Sequence, residues 1–135
     1  MLNKPHLINF NQIGEPSIGY ISVAEAENNI PFKIERVFWT YFTPHNIVRG
    51  HHAHYITEQV LIAVSGMISV YIVERSGKKS KFMLDNPNMG LYLPPNVWHT
   101  MEYSHDAVQM VLASTKYNES DYIRSFEDFI NTKDS

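Results

Sequence analysis

Short apolar and alternating runs, separated by turn residues, extend along most of this chain. Runs of this length and alternation are typical of strands that lie half-buried in a sheet. The ten predicted strands are 7–10, 20–24, 32–42, 48–56, 59–65, 68–73, 81–84, 90–93, 97–103 and 108–113. Breakers such as Ser65-Gly66 and Ser76-Gly77 lie between them. The pattern predicts an all-β protein whose strands close on one another as a sandwich, jelly roll or barrel.

The C-terminal part of the chain departs from this pattern. Apolar residues recur there at helical spacing, at Tyr122, Ile123, Phe126, Phe129 and Ile130. The preceding segment 118–121 supplies an N-cap and acidic residues for a first helical turn. We therefore expect one amphipathic α-helix over residues 118–131, packed against the chain's own sheet.

Length and composition restrict the possible functions. The 135 residues fit a single domain spanning 1–135, and a net charge of −3 gives no basic surface for a nucleic acid polymer. The sequence contains no cysteine, so disulfides and thiolate chemistry are excluded. No apolar run is long enough to span a membrane, and residues 1–10 contain no continuous apolar signal segment. We expect a cytoplasmic protein without a membrane partner.

Histidines supply the candidate chemistry. His51, His52 and His54 lie within the segment 49–54, and His99 ends a second polar segment, 94–99. Side chains alternate along a strand, so His52 and His54 should project from the same face. Imidazole is both a common metal ligand and a side chain that titrates near neutral pH. From spacing alone the cluster could therefore bind a metal or carry protons.

The spacing of these residues resembles the two motifs of the cupin superfamily. The first comprises His52, His54, Glu58 and Gly66; the second comprises Gly90, the turn 94–96 and His99. The resemblance implies a small double-stranded β-helix, or jelly roll, with His52, His54, Glu58 and His99 close together. In many cupins these four positions bind a divalent metal. A metal-dependent enzyme, such as a dioxygenase or another sugar isomerase, is therefore one alternative, and a sugar-binding module is another.

The surrounding residues are more similar to one metal-independent branch, the dTDP-4-keto-6-deoxyglucose 3,4-ketoisomerases. Segments matching that family, in its order, include Arg49-Gly50-His51-His52-Ala53-His54 and the ranges 30–37, 58–61, 65–66, 87–95, 98–99, 107–108, 111–114 and 121–124. The resemblance implies an isomerase that takes a dTDP-sugar and needs no metal or other cofactor. Its product would feed an aminotransferase that makes a 3-amino-3,6-dideoxyhexose for a surface polysaccharide such as the lipopolysaccharide O-antigen.

The reaction assigns roles to the histidines. Moving a carbonyl from C4 to C3 of the sugar requires removal of the C3 proton, an enediol(ate) and protonation at C4. By resemblance, His52 is the base at C3 and His54 moves a proton between the two oxygens, although the two roles could be exchanged. His99 forms a third wall of the pocket. Hydrogen bonds in a dry pocket can stabilise the enediolate without a metal.

Other residues are candidates for binding the nucleotide and the sugar. Arg49, beside the histidines, is the expected contact of the pyrophosphate, because a guanidinium group can bind it through two hydrogen bonds. The aromatic residues Trp39, Tyr41 and Trp98 are possible platforms for thymine or the sugar.

Glu58 and Gln59 are alternatives for the site. Adjacent residues on a strand point to opposite faces, so only one of the two can line the site. The family resemblance favours Gln59, while an inward Glu58 would favour a metal. The sequence leaves this choice open.

Two departures from the family pattern concern the edge of the site. Tyr55 stands where many members have lysine, and residues 17–20 replace an acidic-Arg-Gly turn. The resemblance further implies a homodimer in which strands 7–10 and 20–24 pair with the neighbouring subunit's sheet, covering edges that would otherwise promote aggregation. Tyr20 would then reach the substrate and influence the configuration at C4, which the sequence does not determine.

Overall fold

The computed structural model describes residues 4–132; residues 1–3 and 133–135, the two ends of the predicted domain, lie outside the described part. Twelve strands form in this range, with a 3₁₀ turn before the last strand and one α-helix after it. The strands are β1 His6–Asn9, β2 Asn11–Glu15, β3 Gly19–Val23, β4 Arg36–Thr40, β5 Val48–His54, β6 Gln59–Ser65, β7 Ile68–Glu74, β8 Lys79–Leu84, β9 Met89–Leu93, β10 Val97–Tyr103, β11 Val108–Ala113 and β12 Tyr122–Ile123; the 3₁₀ turn is Glu119–Asp121 and α1 is Phe126–Asn131.

Two five-stranded antiparallel sheets build the body of the protein. Their strand orders are β1-β9-β6-β11-β4 and β12-β5-β10-β7-β8. Side chains from the facing sides of both sheets interdigitate in one apolar core, which includes Leu61 and Leu91 from the first sheet and Val70 and Met101 from the second. The structure confirms the predicted all-β jelly roll with one short C-terminal helix. A third, two-stranded sheet contains only β2 and β3.

A second apolar cluster covers the outer face of the first sheet. Phe10, Ile30 and Phe32 pack there on Val60 and Leu112 of the sheet, among others. The predicted strand 32–42 is therefore too long: its first residues pack across the sheet as loop, and ladder pairing with β11 begins only at Arg36. Apolar alternation is the same for a segment that pairs within a sheet and one that covers it, so the pattern could not separate them.

The predicted helix over 118–131 is wrong in its first half. Asn118 does act as an N-cap, but of the three-residue 3₁₀ turn, and Ser125 caps the true helix α1 by accepting from the Asp128 backbone N–H. Between them β12 pairs with the edge of β5, with Tyr122 opposite His54 and Ile123 opposite Ala53. The free edge of β5 provides ladder partners that a helix would have left unused. No helix among residues 4–132 has the length and apolar content needed to cross a membrane.

The N-terminal strands form two separate units. β1, which covers most of the predicted strand 7–10, pairs with β9, with Ile8 opposite Gly90, and is an edge strand whose other side has no partner strand among residues 4–132. The absence of a side chain at Gly90 leaves room for the Phe10 ring, because a Cβ there would lie 2.8 Å from it. The β2–β3 hairpin, in contrast, pairs with no other strand in the described part of the chain. Strand β2 itself was not predicted.

Candidate active site

A β-bulge in β5 shapes the site. Against β10, His52 lies opposite His99, whereas the next pair along the ladder is Gly50 with Thr100, so His51 is the extra residue. Both bulge residues have positive φ, 95° at Gly50 and 58° at His51. Glycine is needed at position 50, since a Cβ would meet the His99 carbonyl oxygen at 2.8 Å.

The bulge brings Arg49 and His52 to the same side of the sheet. Three positions apart, they would lie on opposite faces of a regular strand. The extra residue of the bulge shifts the alternation by one position, so both side chains lie on the same face and line the same pocket. Arg49 is exposed at its rim, while His52 is half-buried.

Three imidazoles converge beside this pocket. The ring centroid of His52 lies 4.6 Å from that of His99 and 5.1 Å from that of His54. The rings of His54 and His99 are 6.4 Å apart and nearly parallel. His52 is therefore central to the cluster. The predicted grouping of His52, His54 and His99 is present in the structure.

Hydrogen bonds select one tautomer for two of these rings. The Nδ1 atom of His52 lies 3.0 Å from the Gly50 carbonyl oxygen, and that of His99 lies 3.4 Å from the Val97 carbonyl oxygen. A carbonyl oxygen only accepts, so each Nδ1 carries the proton and each Nε2 presents a lone pair. These lone pairs are the groups that can accept a proton.

All three imidazoles have pKa values below the ordinary histidine value. Burial is the main cause of the lowered pKa of His52, and hydrogen bonding to Gly50 partly offsets it. Burial, followed by repulsion from His52, lowers the pKa of His54 to about 4. Burial likewise holds the pKa of His99 well below 6.5. Near pH 7 the site therefore contains neutral bases.

The pocket itself has a volume of about 90 Å³. Its wall includes Gln59, which is buried, whereas Glu58 does not line this pocket. Glu58 accepts a hydrogen bond from the Tyr92 hydroxyl at 2.6 Å, and burial together with this bond raises the pKa of Tyr92. Among residues 4–132, no group of three or more His, Cys, Asp or Glu side chains is arranged to hold a metal ion.

Several lining residues were not predicted. Tyr103 and Gln109 meet at the pocket, where the Tyr103 hydroxyl donates to Gln109 Oε1 at 2.6 Å. Burial raises the pKa of Tyr103 to about 12, so its hydroxyl remains protonated near neutral pH. The remaining lining residues are Phe38, Thr40, Gly50, Leu61, Met101 and Val111. Gln109 could have been noticed in the sequence, because it is a polar amide inside the apolar run 108–113.

Three aromatic residues predicted as platforms for thymine or the sugar do not line this pocket. Trp98 packs with Ala53, Ile123 and Phe129 beneath α1, on the face of β10 opposite to His99. Trp39 and Tyr41 are 59% and 55% exposed and do not line the pocket. The adjacent residues Phe38 and Thr40 do line it. The alternation of β4 and β10 explains the positions of Trp39 and Trp98, and Tyr41 lies just beyond the end of β4. Tyr20 likewise lies on the exposed hairpin and not at the pocket of its own chain.

The C-terminal segment completes the site from a direction that the sequence did not predict. Pairing of β12 with β5 places the Tyr122 ring 4.4 Å from the His54 ring and 5.1 Å from the His52 ring. The same pairing buries Asp121, whose Oδ2 lies 3.3 Å from His54 Nδ1. The 3₁₀ turn and β12, both predicted from sequence as helix, thus contribute one neighbour of the histidines each.

Comparison with known proteins gives consistent matches across the chain. Residues 3–134 match the family model described as FdtA: WxcM-like, C-terminal. The TDP-4-oxo-6-deoxy-alpha-D-glucose-3,4-oxoisomerase of Aneurinibacillus thermoaerophilus is 43% identical over 130 residues, covering 96% of this chain and 91% of the relative.

Solved structures of high similarity agree. QdtA, a sugar 3,4-ketoisomerase from Thermoanaerobacterium thermosaccharolyticum in complex with TDP, has a TM-score of 0.91 and 34% identity, covering 97% of this chain and 95% of its own. The WlaRB TDP-quinovose 3,4-ketoisomerase of Campylobacter jejuni has a TM-score of 0.89 and 33% identity, covering 95% and 98%.

Proposed function

This chain belongs to the FdtA family of WxcM-like, C-terminal domains, and we propose that it is a 3,4-ketoisomerase of dTDP-4-keto-6-deoxyglucose. One observation carries the assignment: His52 and His99 hold Nδ1 on backbone carbonyls beside a pocket that Arg49 borders. Neutral bases with free Nε2 atoms are what the removal and return of carbon-bound protons require.

The reaction is balanced within the sugar. A base takes the C3 proton, and its bonding electrons form the C3=C4 double bond of an enediol(ate) as the C4 carbonyl oxygen gains charge. A proton passes from the C3 oxygen to the C4 oxygen, and C4 receives a proton as the carbonyl forms at C3. One carbon is oxidised and its neighbour is reduced equally. No external oxidant, reductant or cofactor is needed.

His52 is the proposed base at C3. It lines the pocket and is central to the imidazole cluster, and burial keeps its pKa below the ordinary value, so it is neutral when substrate arrives. His54, whose ring lies 5.1 Å from that of His52, is the proposed carrier of the proton between the two oxygens. His99 and Gln59 supply polar walls for the reacting part of the sugar.

The pocket dimensions support a division of the substrate. Its volume of about 90 Å³ is well below the ~300–1,000 Å³ usual for ligand sites, so it can enclose only the reacting part of the sugar. The nucleotide would then extend along the rim. Arg49 is exposed there and is the proposed contact of the pyrophosphate.

The N-terminal strands support the proposed homodimer. β1 lies at the edge of its sheet, and the β2–β3 hairpin pairs with no other strand among residues 4–132, so both could pair with a neighbouring subunit. The hairpin exposes large apolar side chains, including Ile18 at 80% and Ile21 at 63%. Docked on a second copy, it would bury these residues and could carry Tyr20 toward that copy's site. There Tyr20 would influence which face of C4 is protonated.

The cellular setting follows from the substrate class. We place the enzyme in the cytoplasm, where nucleotide sugars are made, with its 3-keto product consumed by an aminotransferase. The amino sugar would enter a surface polysaccharide such as the lipopolysaccharide O-antigen. The net charge of −3 agrees with a small anionic substrate held by few cations and not with a nucleic acid polymer.

Incubation with dTDP-4-keto-6-deoxyglucose in deuterated buffer tests the assignment. We expect a 3-keto product carrying deuterium at C4, and exchange at C3 of recovered substrate. Binding without exchange or product would instead indicate a sugar-binding module. Activity should survive a chelator; loss of activity that is restored by one divalent metal would identify a metal-dependent enzyme.

A further inference from the structure

Asp121 is a buried carboxylate beside the catalytic cluster. The 3₁₀ turn ends at this residue, and the pairing of β12 with β5 fixes its distance from His54. The Asp121 backbone carbonyl also accepts from the Tyr55 N–H at 3.0 Å, which continues that pairing. A buried carboxylate needs hydrogen-bond donors to offset its loss of hydration.

Asp121 has such donors, and they fix its orientation. The Ile56 backbone N–H donates to Oδ1 at 2.8 Å, and the Thr57 backbone N–H donates to Oδ2 at 3.2 Å. The Thr57 hydroxyl donates to Oδ2 as well. Both carboxylate oxygens are therefore anchored to the loop that follows β5, and Oδ2 is held towards the His54 ring.

The two ring nitrogens of His54 lie in an unusual polar environment. Only 3% of the residue is exposed, and neither ring nitrogen makes a well-aligned hydrogen bond within the described residues. Nδ1 lies 3.3 Å from Asp121 Oδ2, so a small ring rotation would align an N–H with that oxygen. Nε2 is buried without a partner. A buried polar atom without a partner is costly unless a ligand satisfies it.

We propose that Asp121 is the positioning residue of His54, holding the proton on Nδ1 and leaving Nε2 free for the oxygens of the substrate. The inference rests on the proposed isomerase function and adds to it the residue that controls the proton carrier. An acceptor-only carboxylate permits one neutral tautomer, with the lone pair on Nε2. When Nε2 takes the proton from the C3 oxygen, the imidazolium forms beside the Asp121 carboxylate, which stabilises its charge.

This arrangement distinguishes His54 from its neighbours. The Nδ1 atoms of His52 and His99 face neutral backbone carbonyls, whereas that of His54 faces a carboxylate. A residue that accepts a proton and then releases it within one turnover benefits most from a nearby countercharge. The structure thus gives His54 the support that a carrier between two oxygens needs.

The tautomer of His54 in the wild-type protein is the direct test, and it does not depend on activity. Nitrogen-15 NMR of labelled protein at pH 7 distinguishes Nδ1–H from Nε2–H, with the His54→Asn variant assigning the signals. We expect a protonated Nδ1 and an unprotonated Nε2. The opposite tautomer would overturn the proposal. If the enzyme shows no turnover of the proposed sugar, the function fails while this measurement still decides the role of Asp121.

Variants separate positioning from support of the fold. Asp121→Asn should lower kcat about 10- to 100-fold with little change in KM, because the countercharge is lost. Thr57→Val is the matched control: it removes one donor to the same carboxylate but keeps its charge. We expect Thr57→Val to lower the melting temperature while kcat stays near wild type. Equal losses of kcat in both variants would assign Asp121 a purely structural role.

A double-variant cycle completes the test. If Asp121 acts through His54, then Asp121→Asn should cause almost no further loss of kcat in a His54→Asn background. The same fold loss in both backgrounds would show that Asp121 acts independently of His54, and the proposal would be rejected. The wild-type tautomer remains decisive if Asp121→Asn fails to fold.

Discussion

The histidine end of the barrel and the β2–β3 hairpin differ in how their strands are paired. At the histidine end, strands β5 and β10 each pair on both sides, and the rings of His52 and His99 contact backbone carbonyls. The hairpin pairs only with itself and exposes its apolar residues. The histidine cluster is assembled within a single chain, whereas the hairpin leaves its apolar side chains uncovered by the other described residues.

The difference separates chemistry from assembly. Every group to which we assign a proton-transfer step lies in one chain, so proton transfer should depend on local geometry. Substrate orientation and product configuration could depend on a second copy through Tyr20. Changes at the two regions should consequently affect different measurements.

Substitution of the histidines should give the largest effect. His52→Asn and His54→Asn should each lower kcat by ~10²-fold or more with little change in substrate affinity, equivalent to about 2.7 kcal/mol of transition-state stabilisation. Steady-state kinetics with dTDP-4-keto-6-deoxyglucose measures this. The neighbouring His51→Asn is the control, because His51 is exposed and should retain activity. Near-wild-type turnover in the His52 variant would refute its role as base.

Charges in the hairpin should weaken assembly without removing the chemistry. Ile13 and Ile21 lie opposite each other on β2 and β3 and are both exposed. Replacing both by lysine should raise the dimer dissociation constant about 30-fold, the equivalent of ~2 kcal/mol. Light scattering over a concentration series measures the change. Met67→Lys, at another exposed apolar position, should leave the dimer intact; equal effects of the two changes would argue against the hairpin interface.

Arg49→Lys should have a smaller effect, confined to the nucleotide. Lysine keeps the charge but loses the two-bond fork, so the affinity for dTDP should fall by about 10-fold, or ~1.4 kcal/mol. Calorimetry with dTDP measures this directly. Lys33→Arg provides a control on a distant surface cation, which pairs with Glu35. Unchanged affinity in Arg49→Lys would mean that Arg49 does not contact the pyrophosphate.

The pH profile should show the smallest shift. The active base is neutral His52, and burial lowers its pKa below 6.5. Activity should therefore persist through pH 6.5 and be lost only as the pH falls through that lowered pKa, since protonation removes the base. The acid limb of kcat/KM in a pH series reports the value for free enzyme. A limb above pH 6.5 would show that another group, or a differently placed His52, controls activity.

Much of the site could be predicted from sequence, because strand alternation is a local property. The shared face of His52 and His54 follows from their spacing, and the same rule could have excluded Trp98, which adjoins His99. Alternation could not decide between Glu58 and Gln59, because it fixes only that the two residues differ. The position of Asp121 depends on a long-range pairing of β12 with β5, for which the local helical spacing gave no signal.

The bulge at Gly50–His51 has an evolutionary consequence. Removing one residue there would shift the alternation of the part of β5 that precedes the bulge. Side chains that now line the pocket would face solvent, and those that face solvent would line the pocket, without any substitution. Arg49 would leave the rim and Val48 would replace it. A single-codon deletion or insertion could thus change ligand preference while the histidines stay in place. In this fold, variation in strand length at one position offers a route to new specificity that comparison of aligned residues alone would overlook.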